Sequence, residues 1–226
     1  ILDLPHDWSI EADFSLKNPA TPGGGALPGG IGWYRKDFVV DKFDEGKNVY
    51  IDFDGIYWNS KVWINGHLLG ERPNGYISFR YDLTPYIKVG ERNVIAVRVD
   101  NSKQPNSRWY SGSGIYRNVR LVTTNDLHVD LWGTYVTTPT VTKDNAEIKI
   151  ETNIKNSSDL SQTFELYSIL IDKDGKEIAG INNSESVGIG ENISMNQSLK
   201  VSNPILWSID NPYLYKIVTR IEQKGK

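Results

Sequence analysis

Apolar and polar residues alternate along many short stretches of the chain, and this spacing of two is typical of half-buried β-strands. It is clearest at residues 49–54 (VYIDFD), 93–100 (NVIAVRVD) and 146–154 (AEIKIETNI). Aromatic and β-branched residues dominate a further stretch, 32–40 (GWYRKDFVV), which favours a strand as well. Before residue 124 no stretch keeps the helical spacing of about 3.6 over several turns, so we predict no amphipathic helix there.

Turn signals separate these predicted strands. Asn65-Gly66 stands between two apolar runs, and this dipeptide supplies the two positive φ angles of a type I′ hairpin turn. Residues 173–176 (KDGK) predict a second hairpin turn, and residues 82–86 (DLTPY) predict a single helical turn or a tight turn. Residues 21–30 (TPGGGALPGG) are too rich in glycine and proline for a helix or a central strand, so we expect a long loop.

The composition of the chain changes near residue 124, where glycine becomes rarer and Asn, Ser, Thr, Ile and Lys become more frequent. Many short strands joined by Gly/Pro turns indicate a sandwich or a jelly roll. After the change, about seven strands in roughly 100 residues fit an immunoglobulin-like sandwich, and we predict the last of them at 213–221. The prediction is an all-β chain: a jelly-roll β-sandwich domain at residues 1–124 and an immunoglobulin-like β-sandwich domain at residues 125–226.

Composition narrows the classes of partner. The chain has 226 residues and a formal net charge of −3, which argues against a nucleic-acid partner. No apolar run approaches the roughly 18 residues of a membrane span, so we expect no membrane partner. Cysteine is absent, which excludes disulfides and thiolate metal sites, and both an exported and a cytosolic bacterial protein fit. Because the sequence starts on Ile1 without Met, we expect it to be part of a longer protein.

Candidate recognition chemistry concentrates in residues 106–120 (NSRWYSGSGIYRNVR), which contain three arginines and three aromatic residues. Arg and aromatic side chains dominate recognition surfaces because they combine broad contact area with directed donors. A sugar has an apolar C–H face and a rim of hydroxyls, so it suits a ring surface beside paired donors and acceptors. The four residues predicted to bind it are Asn106, Arg108, Trp109 and Tyr110. Tyr116 and Arg117 are predicted to be structural, with Arg117 paired to an acid on a neighbouring strand.

No motif indicates catalysis, a metal or a cofactor in this chain. The three histidines, His6, His67 and His128, lack the spacing of metal ligands. The segment that begins at Asp172 lacks the glycine and glutamate of a calcium loop at the sixth and twelfth positions. Residues 112–114 (GSG) lack the spacing of a nucleophile elbow. No motif places two acids in a pocket as glycoside hydrolysis requires, so we predict no catalytic residue, no metal site and no cofactor.

Several sequence motifs occur together in one order. They are residues 4–8 (LPHDW), 32–35 (GWYR), 62–66 (VWING), 81–84 (YDLT), 108–117 (RWYSGSGIYR) and 206–215 (LWSIDNPYLY). Together they resemble the N-terminal part of the family 2 glycoside hydrolases, and especially the β-galactosidases of Bacteroides-type bacteria. The last motif is similar to the end of the family's immunoglobulin-like second domain. The resemblance covers nearly the whole chain.

The resemblance implies a sugar-binding jelly roll, an immunoglobulin-like sandwich and then a (β/α)₈ barrel that carries two catalytic glutamates of a retaining mechanism. Such a barrel needs about 250 residues of alternating strands and helices, and no such pattern occurs here. We therefore expect a non-catalytic fragment of an enzyme that hydrolyses terminal β-galactosides, with a β-galactoside-containing glycan and the barrel of the same chain as its partners. The alternatives are a β-glucuronidase or β-mannosidase parent, a free-standing carbohydrate-binding module, and a purely structural spacer.

The resemblance also bears on the candidate site and on assembly. In the family the loop that matches Arg108, Trp109 and Tyr110 helps to shape the sugar pocket. Relatives carry an acidic residue near the start of this motif that contacts sugar and a sodium ion, whereas this sequence has Asn106-Ser107 there, so we predict no metal contact. We expect a periplasmic or otherwise exported bacterial protein, with a cytoplasmic one as the alternative, and a parent that forms a homo-oligomer.

Overall fold

A computed structural model of the chain describes residues 1–223. The chain divides into two compact units, Ile1–Thr124 and Asn125–Lys226, and the boundary lies where the composition changes. Both units are built from strands, and among residues 1–223 no α-helix forms. Each unit has its own buried apolar cluster, as expected of parts that fold around separate cores.

The first unit is a sandwich of two antiparallel sheets. Its strands are β1 (Gly30–Val39), β2 (Asn48–Phe53), β3 (Ser60–Ile64), β4 (His67–Arg72), β5 (Phe79–Asp82), β6 (Arg92–Asn101) and β7 (Val119–Thr124). One sheet has the order β1-β6-β3-β4 and the other has the order β5-β2-β7. Val62 and Val97 of the first sheet share one core with Ile51 and Phe53 of the second. This architecture confirms the predicted jelly-roll sandwich.

The predicted turns of the first unit form as their residues suggest. Asn65 and Gly66 have φ angles of 48° and 88°, as a type I′ turn requires. They join β3 to β4, which pair from Ile64 and His67 onwards. A single 3₁₀ turn at Thr84–Tyr86 follows β5. The hairpin therefore sets the register in which Trp63 lies on the outer face of the sheet while Val62 and Ile64 point into the core.

The second unit contains six strands within residues 125–223, one fewer than the roughly seven predicted. They are β8 (Leu127–Val141), β9 (Asn145–Asn156), β10 (Gln162–Ile171), β11 (Glu177–Val187), β12 (Asn192–Ser202) and β13 (Lys216–Glu222). The sheets have the orders β11-β10-β13 and β12-β9-β8, which confirms the immunoglobulin-like sandwich. The last strand begins three residues later than predicted. Pro204 and Pro212 precede it, and Tyr213 N donates to Asn211 O (2.8 Å) in a local turn instead of a sheet ladder.

Candidate functional site

The loop that follows β6, residues 102–112, carries all four predicted sugar-binding residues, and we call it the candidate loop. Its first anchor is Asn101, the last residue of β6, which is buried. The Asn101 Nδ2 group donates to the Gly112 carbonyl (2.9 Å) and lies 2.8 Å from Ser113 Oγ, while Asn101 Oδ1 accepts from Asn106 Nδ2 (2.7 Å). One buried amide therefore ties the middle and the end of the candidate loop to the sheet.

The second anchor is Asp7, near the start of the chain. Its Oδ1 accepts from the backbone N–H of Ser113 (2.8 Å) and of Ser9 (2.9 Å). Its Oδ2 accepts from the hydroxyl of Tyr110. The bonds to Ser113 and Tyr110 join positions about a hundred residues apart. Asp7 therefore fixes the candidate loop to the start of the chain, a contact that the alternation pattern does not predict.

Gly112 lets the two anchors meet. Its φ angle is +72°, in the left-handed region that glycine adopts without cost. A Cβ added at this position would lie 2.7 Å from Asp7 Oδ2, closer than carbon and oxygen can approach. A side chain here would strain the backbone and displace Asp7, so the glycine is required by the close approach of Asp7.

An open cleft of about 730 Å³ lies along one side of the candidate loop. Its lining residues are Tyr57, Trp58, Pro73, Asn74, Gly75, Tyr76, Asn106, Ser107, Arg108 and Trp109. Trp109 is 60% exposed, and its Nε1 donates to the hydroxyl of Tyr76 (3.4 Å). Tyr57 stacks on Trp58 with ring centroids 5.5 Å apart and meets Tyr76 edge to face. Aromatic rings therefore line the cleft both on the candidate loop, at Trp109, and outside it, at Tyr57, Trp58 and Tyr76.

Arg108 is the cation of this cleft. Its side chain is exposed, and within residues 1–223 its guanidinium has no hydrogen-bond or ion-pair partner. A guanidinium offers five N–H donors in a planar fork. Arg108 is therefore free to donate to a ligand that enters the cleft beside Trp109.

The structure divides the four predicted residues into two groups. Arg108 and Trp109 expose their side chains to the cleft, whereas the polar groups of Asn106 and Tyr110 are engaged within the protein. The Asn106 amide donates to Asn101, and its Oδ1 accepts from Ser111 Oγ (3.3 Å). The pKa of Tyr110 is raised well above its ordinary value, first by burial and then by its hydrogen bond to the Asp7 carboxylate. Both residues hold the candidate loop in shape.

The prediction for Arg117 is wrong in its partner, while Tyr116 is structural as predicted. Tyr116 donates its hydroxyl to the Gly75 carbonyl (2.8 Å) under the cleft. Arg117 Nη1 donates to the backbone carbonyl of Asp54 (3.1 Å), and the Asp54 carboxylate pairs with Arg120 instead (2.8 Å). The hydrogen bond from Arg120 holds the pKa of Asp54 below its usual range. The sequence could not show which arginine pairs with the Asp54 carboxylate, because both follow the candidate loop and are separated from Asp54 by a similar number of residues.

The described part of the chain has neither a cluster of potential metal ligands nor a helix that could span a membrane. Among residues 1–223, no three His, Asp or Glu side chains come together as potential metal ligands. The same residues form no helix long and apolar enough to cross a membrane. The cleft lining that the structure describes includes neither Asp nor Glu. The site has the chemistry of a surface that binds through rings and neutral or cationic donors.

Comparison with known families agrees with this architecture. The sequence model described as "Glycosyl hydrolases family 2, sugar binding domain" matches residues 17–125. The model described as "Glycosyl hydrolases family 2" matches residues 127–226. The two matches together span almost the entire chain, so the chain belongs to glycosyl hydrolase family 2.

Individual members of the family are similar to this chain to different degrees. "Beta-galactosidase BoGH2A" of Bacteroides ovatus is 56% identical over 98% of this chain and 26% of its own length. A "Putative beta-glucuronidase" of Formosa agariphila is 44% identical over 98% of this chain and 20% of its own length. The crystal structure of a family 2 member from Bacteroides cellulosilyticus superposes with a TM-score of 0.96 and 40% identity, over 100% of this chain and 30% of that one. The chain spans about a quarter of the length of these relatives.

Proposed function

We propose that this chain is a non-catalytic part of a β-galactosidase, and that its cleft forms one wall of the site for a terminal β-galactoside. The observation that carries the proposal is the lining of the cleft. It combines exposed aromatic rings with the unpaired Arg108 guanidinium and, among the lining residues that the structure describes, contains no carboxylate. Rings and donors hold a sugar, but glycoside hydrolysis needs a pair of carboxylic acids across the bond.

Within this wall we assign different tasks to the predicted residues. The ring of Trp109 offers an apolar face to the C–H face of a sugar, and Arg108 donates to its hydroxyls. Asn106 and Tyr110 act through the shape of the candidate loop, since Asn101 and Asp7 occupy their polar groups. Direct contact of Asn106 and Tyr110 with sugar stays a prediction.

The proposed activity of the whole protein is inferred from similarity to relatives that are much longer than this chain. The 56% identity to a β-galactosidase supports galactoside as the substrate class, and that relative is only 26% covered. We propose that a barrel elsewhere in the same polypeptide supplies the catalytic acids. The test compares this chain and its full-length parent on an aryl β-galactoside. Turnover by the parent alone supports the proposal, and turnover by the 226-residue chain itself would overturn it.

Variants of the parent separate a sugar-contacting wall from a structural spacer. Trp109→Ala and Arg108→Ala are expected to raise KM about tenfold, since each removes roughly 1.4 kcal/mol of sugar binding. Trp207→Ala is the matched control, because Trp207 is 59% exposed but lies in the second unit. If KM is unchanged in both cleft variants, the spacer interpretation is correct and the cleft does not bind substrate.

A β-glucuronidase is the second candidate, and the unpaired Arg108 favours it. A free guanidinium matches the carboxylate of a glucuronide better than any group of a galactoside, and a 44% identical relative carries the name putative β-glucuronidase. Parallel assays on aryl galactoside, glucuronide and mannoside decide the parent's substrate. If glucuronide is preferred and Arg108→Ala abolishes that preference, the galactosidase proposal fails.

Three further expectations stay predictions. Cell fractionation of the source bacterium tests the exported location against a cytoplasmic one. Sedimentation of the parent tests the homo-oligomer. Sugar titration of the isolated chain tests whether it also acts as a free-standing carbohydrate-binding module.

A further inference from the structure

The outer face of the β1-β6-β3-β4 sheet carries a stacked pair of tryptophans. Trp33 on β1 and Trp63 on β3 flank β6, where Ala96 is the register partner of Trp63. The two indole rings stack with centroids 5.3 Å apart and an interplanar angle of 27°. The register partner of Trp33 on β6 is Arg98, so the rings meet diagonally across the intervening strand, where the small side chain of Ala96 leaves room beside Trp63. We call Trp33, Arg35, Trp63, Val94 and Ala96 the tryptophan face.

The tryptophan face is open to solvent. Trp33 is 60% exposed although its ring is already stacked, so much of its surface remains available. A shallow depression of about 470 Å³ lies over the pair. It is lined by Trp33, Arg35, Trp63, Gly66, Arg92, Val94 and Ala96. None of these residues lines the cleft beside the candidate loop, so the two surfaces are separate.

Charged groups of both signs surround the rings. Arg92 pairs with Asp37 (2.7 Å), Arg98 with Asp100 (2.8 Å) and Lys61 with Glu71 (2.5 Å). Arg35 is exposed and has no hydrogen-bond or ion-pair partner within residues 1–223. The rim therefore offers donors and acceptors side by side, with one guanidinium wholly free.

The combination of exposed rings with charged groups of both signs limits the class of ligand that the tryptophan face can bind. Nucleic acid does not fit, because three of the four cations on the rim are already paired with carboxylates and only Arg35 is left to contact a phosphate. A stable protein interface buries about 800 Å² on each partner around an apolar centre, whereas the apolar part here is two rings, a valine and an alanine. A neutral oligosaccharide needs a ring for its C–H face and both acceptors and donors for its hydroxyls. We propose that the tryptophan face is a second glycan-binding surface, which holds neutral sugar units away from the cleft.

The proposal does not rest on the proposed function, and its test keeps the two apart. The probe is β-1,4-galactotetraose, titrated calorimetrically into the 226-residue chain. Trp109→Ala weakens sugar binding in the cleft and is expected to leave binding at the tryptophan face unchanged. Adding Trp33→Ala to that variant should lower the remaining association constant at least about tenfold, which corresponds to 1.4 kcal/mol. Adding Trp207→Ala instead should change nothing.

Each outcome decides one question. If the Trp109→Ala variant does not bind the tetraose at millimolar concentrations, or if Trp33→Ala leaves its binding unchanged, the inference is overturned. If Trp33→Ala changes only the sedimentation of the chain, the face is a contact between protein copies and the inference is also overturned. If Trp109→Ala binds like the wild type while Trp33→Ala weakens binding, the tryptophan face is supported and the cleft is not. Trp33→Tyr, which keeps a ring, should retain part of the affinity and shows that the sheet still folds.

Discussion

The two aromatic surfaces of the first unit differ in what holds them in place. The cleft is built from loops, and its shape depends on two polar residues that bind the candidate loop, Asn101 at the end of β6 and Asp7 near the start of the chain. The tryptophan face is built from strands, and the ladder between β1, β6 and β3 holds it. A loop surface can therefore be lost through one buried hydrogen bond, whereas a strand surface fails only when its register or a side chain on it changes.

The largest expected effect is at Asn101, the anchor of the loop surface. Asn101→Ala leaves the Gly112 carbonyl and the Asn106 amide without their buried partner, and each such group costs about 1–3 kcal/mol. We expect the free energy of unfolding of the first unit to fall by about 3 kcal/mol. Urea unfolding followed by tryptophan fluorescence measures it.

Asn106→Ala is the control for this change, since it removes one partner of the same Asn101 oxygen at a more exposed site. It should cost only about 1 kcal/mol. Equal losses in the two variants would show that Asn101 is not the anchor that distinguishes the cleft from the tryptophan face.

The second effect is at Gly112, where the loop passes Asp7. Gly112→Ala forces a Cβ into the left-handed region, which costs about 1–2 kcal/mol, and presses it to 2.7 Å from Asp7 Oδ2. Gly66→Ala is the matched control, because Gly66 also has a positive φ but a Cβ there meets nothing within 4 Å. We expect Gly112→Ala to lose at least about 1 kcal/mol more than Gly66→Ala in urea unfolding. A difference near zero would mean that Asp7 yields without cost.

The contacts of Asn101 and Gly112 also show which features could not be predicted from the sequence. Alternation and turn residues predicted the strands, because the period of two and the Asn-Gly dipeptide report on local backbone geometry. Composition singled out Arg108 and Trp109, since exposed Arg and Trp side chains concentrate in recognition loops. The roles of Asp7 and Asn101 could not be predicted, because only the folded backbone places the Ser113 N–H to donate to Asp7 and the Gly112 carbonyl to accept from Asn101.

The tryptophan face could not be predicted from the sequence either, for a different reason. Trp33 and Trp63 stand in two of the recognised motifs, and alternation places each on one side of a strand. Their stacking depends on the strand order, in which β6 lies between β1 and β3 and pairs Arg98 with Trp33 and Ala96 with Trp63. Strand order is a long-range property, so no local pattern could bring the two tryptophans together.

A third effect, of moderate size, concerns alkaline pH. The raised pKa of Tyr110 means that the neutral phenol stabilises the fold fully below the unfolded value of about 10, and this contribution is lost as pH rises through the folded pKa. Asp7→Asn keeps an oxygen for Ser9 and Ser113 but removes the negative charge beside the phenol. We expect the pKa of Tyr110 to fall, as followed by NMR titration of carbon-labelled tyrosine.

Tyr81 serves as the reference in the same spectra. Burial raises its pKa as well, but its charged neighbours are Arg72 and Glu71, not Asp7. An equal shift of both tyrosines in Asp7→Asn would indicate general loosening of the unit and would contradict a specific Asp7–Tyr110 anchor.

The smallest effect on stability is expected on the strand surface, at Ala96. Ala96→Leu places a larger side chain beside Trp63 and should disturb its stacking on Trp33, yet the change lies on the outer face and should alter the free energy of unfolding by no more than about 1 kcal/mol. Binding of galactotetraose in the Trp109→Ala background should nevertheless be lost, while Ala96→Ser, which stays small, retains it. Because no loop anchor touches Ala96, aryl galactoside turnover by the parent should not change. If Ala96→Leu instead disturbed turnover and left tetraose binding intact, the two surfaces would not be independent, and the contrast between a loop-held cleft and a strand-held face would fail.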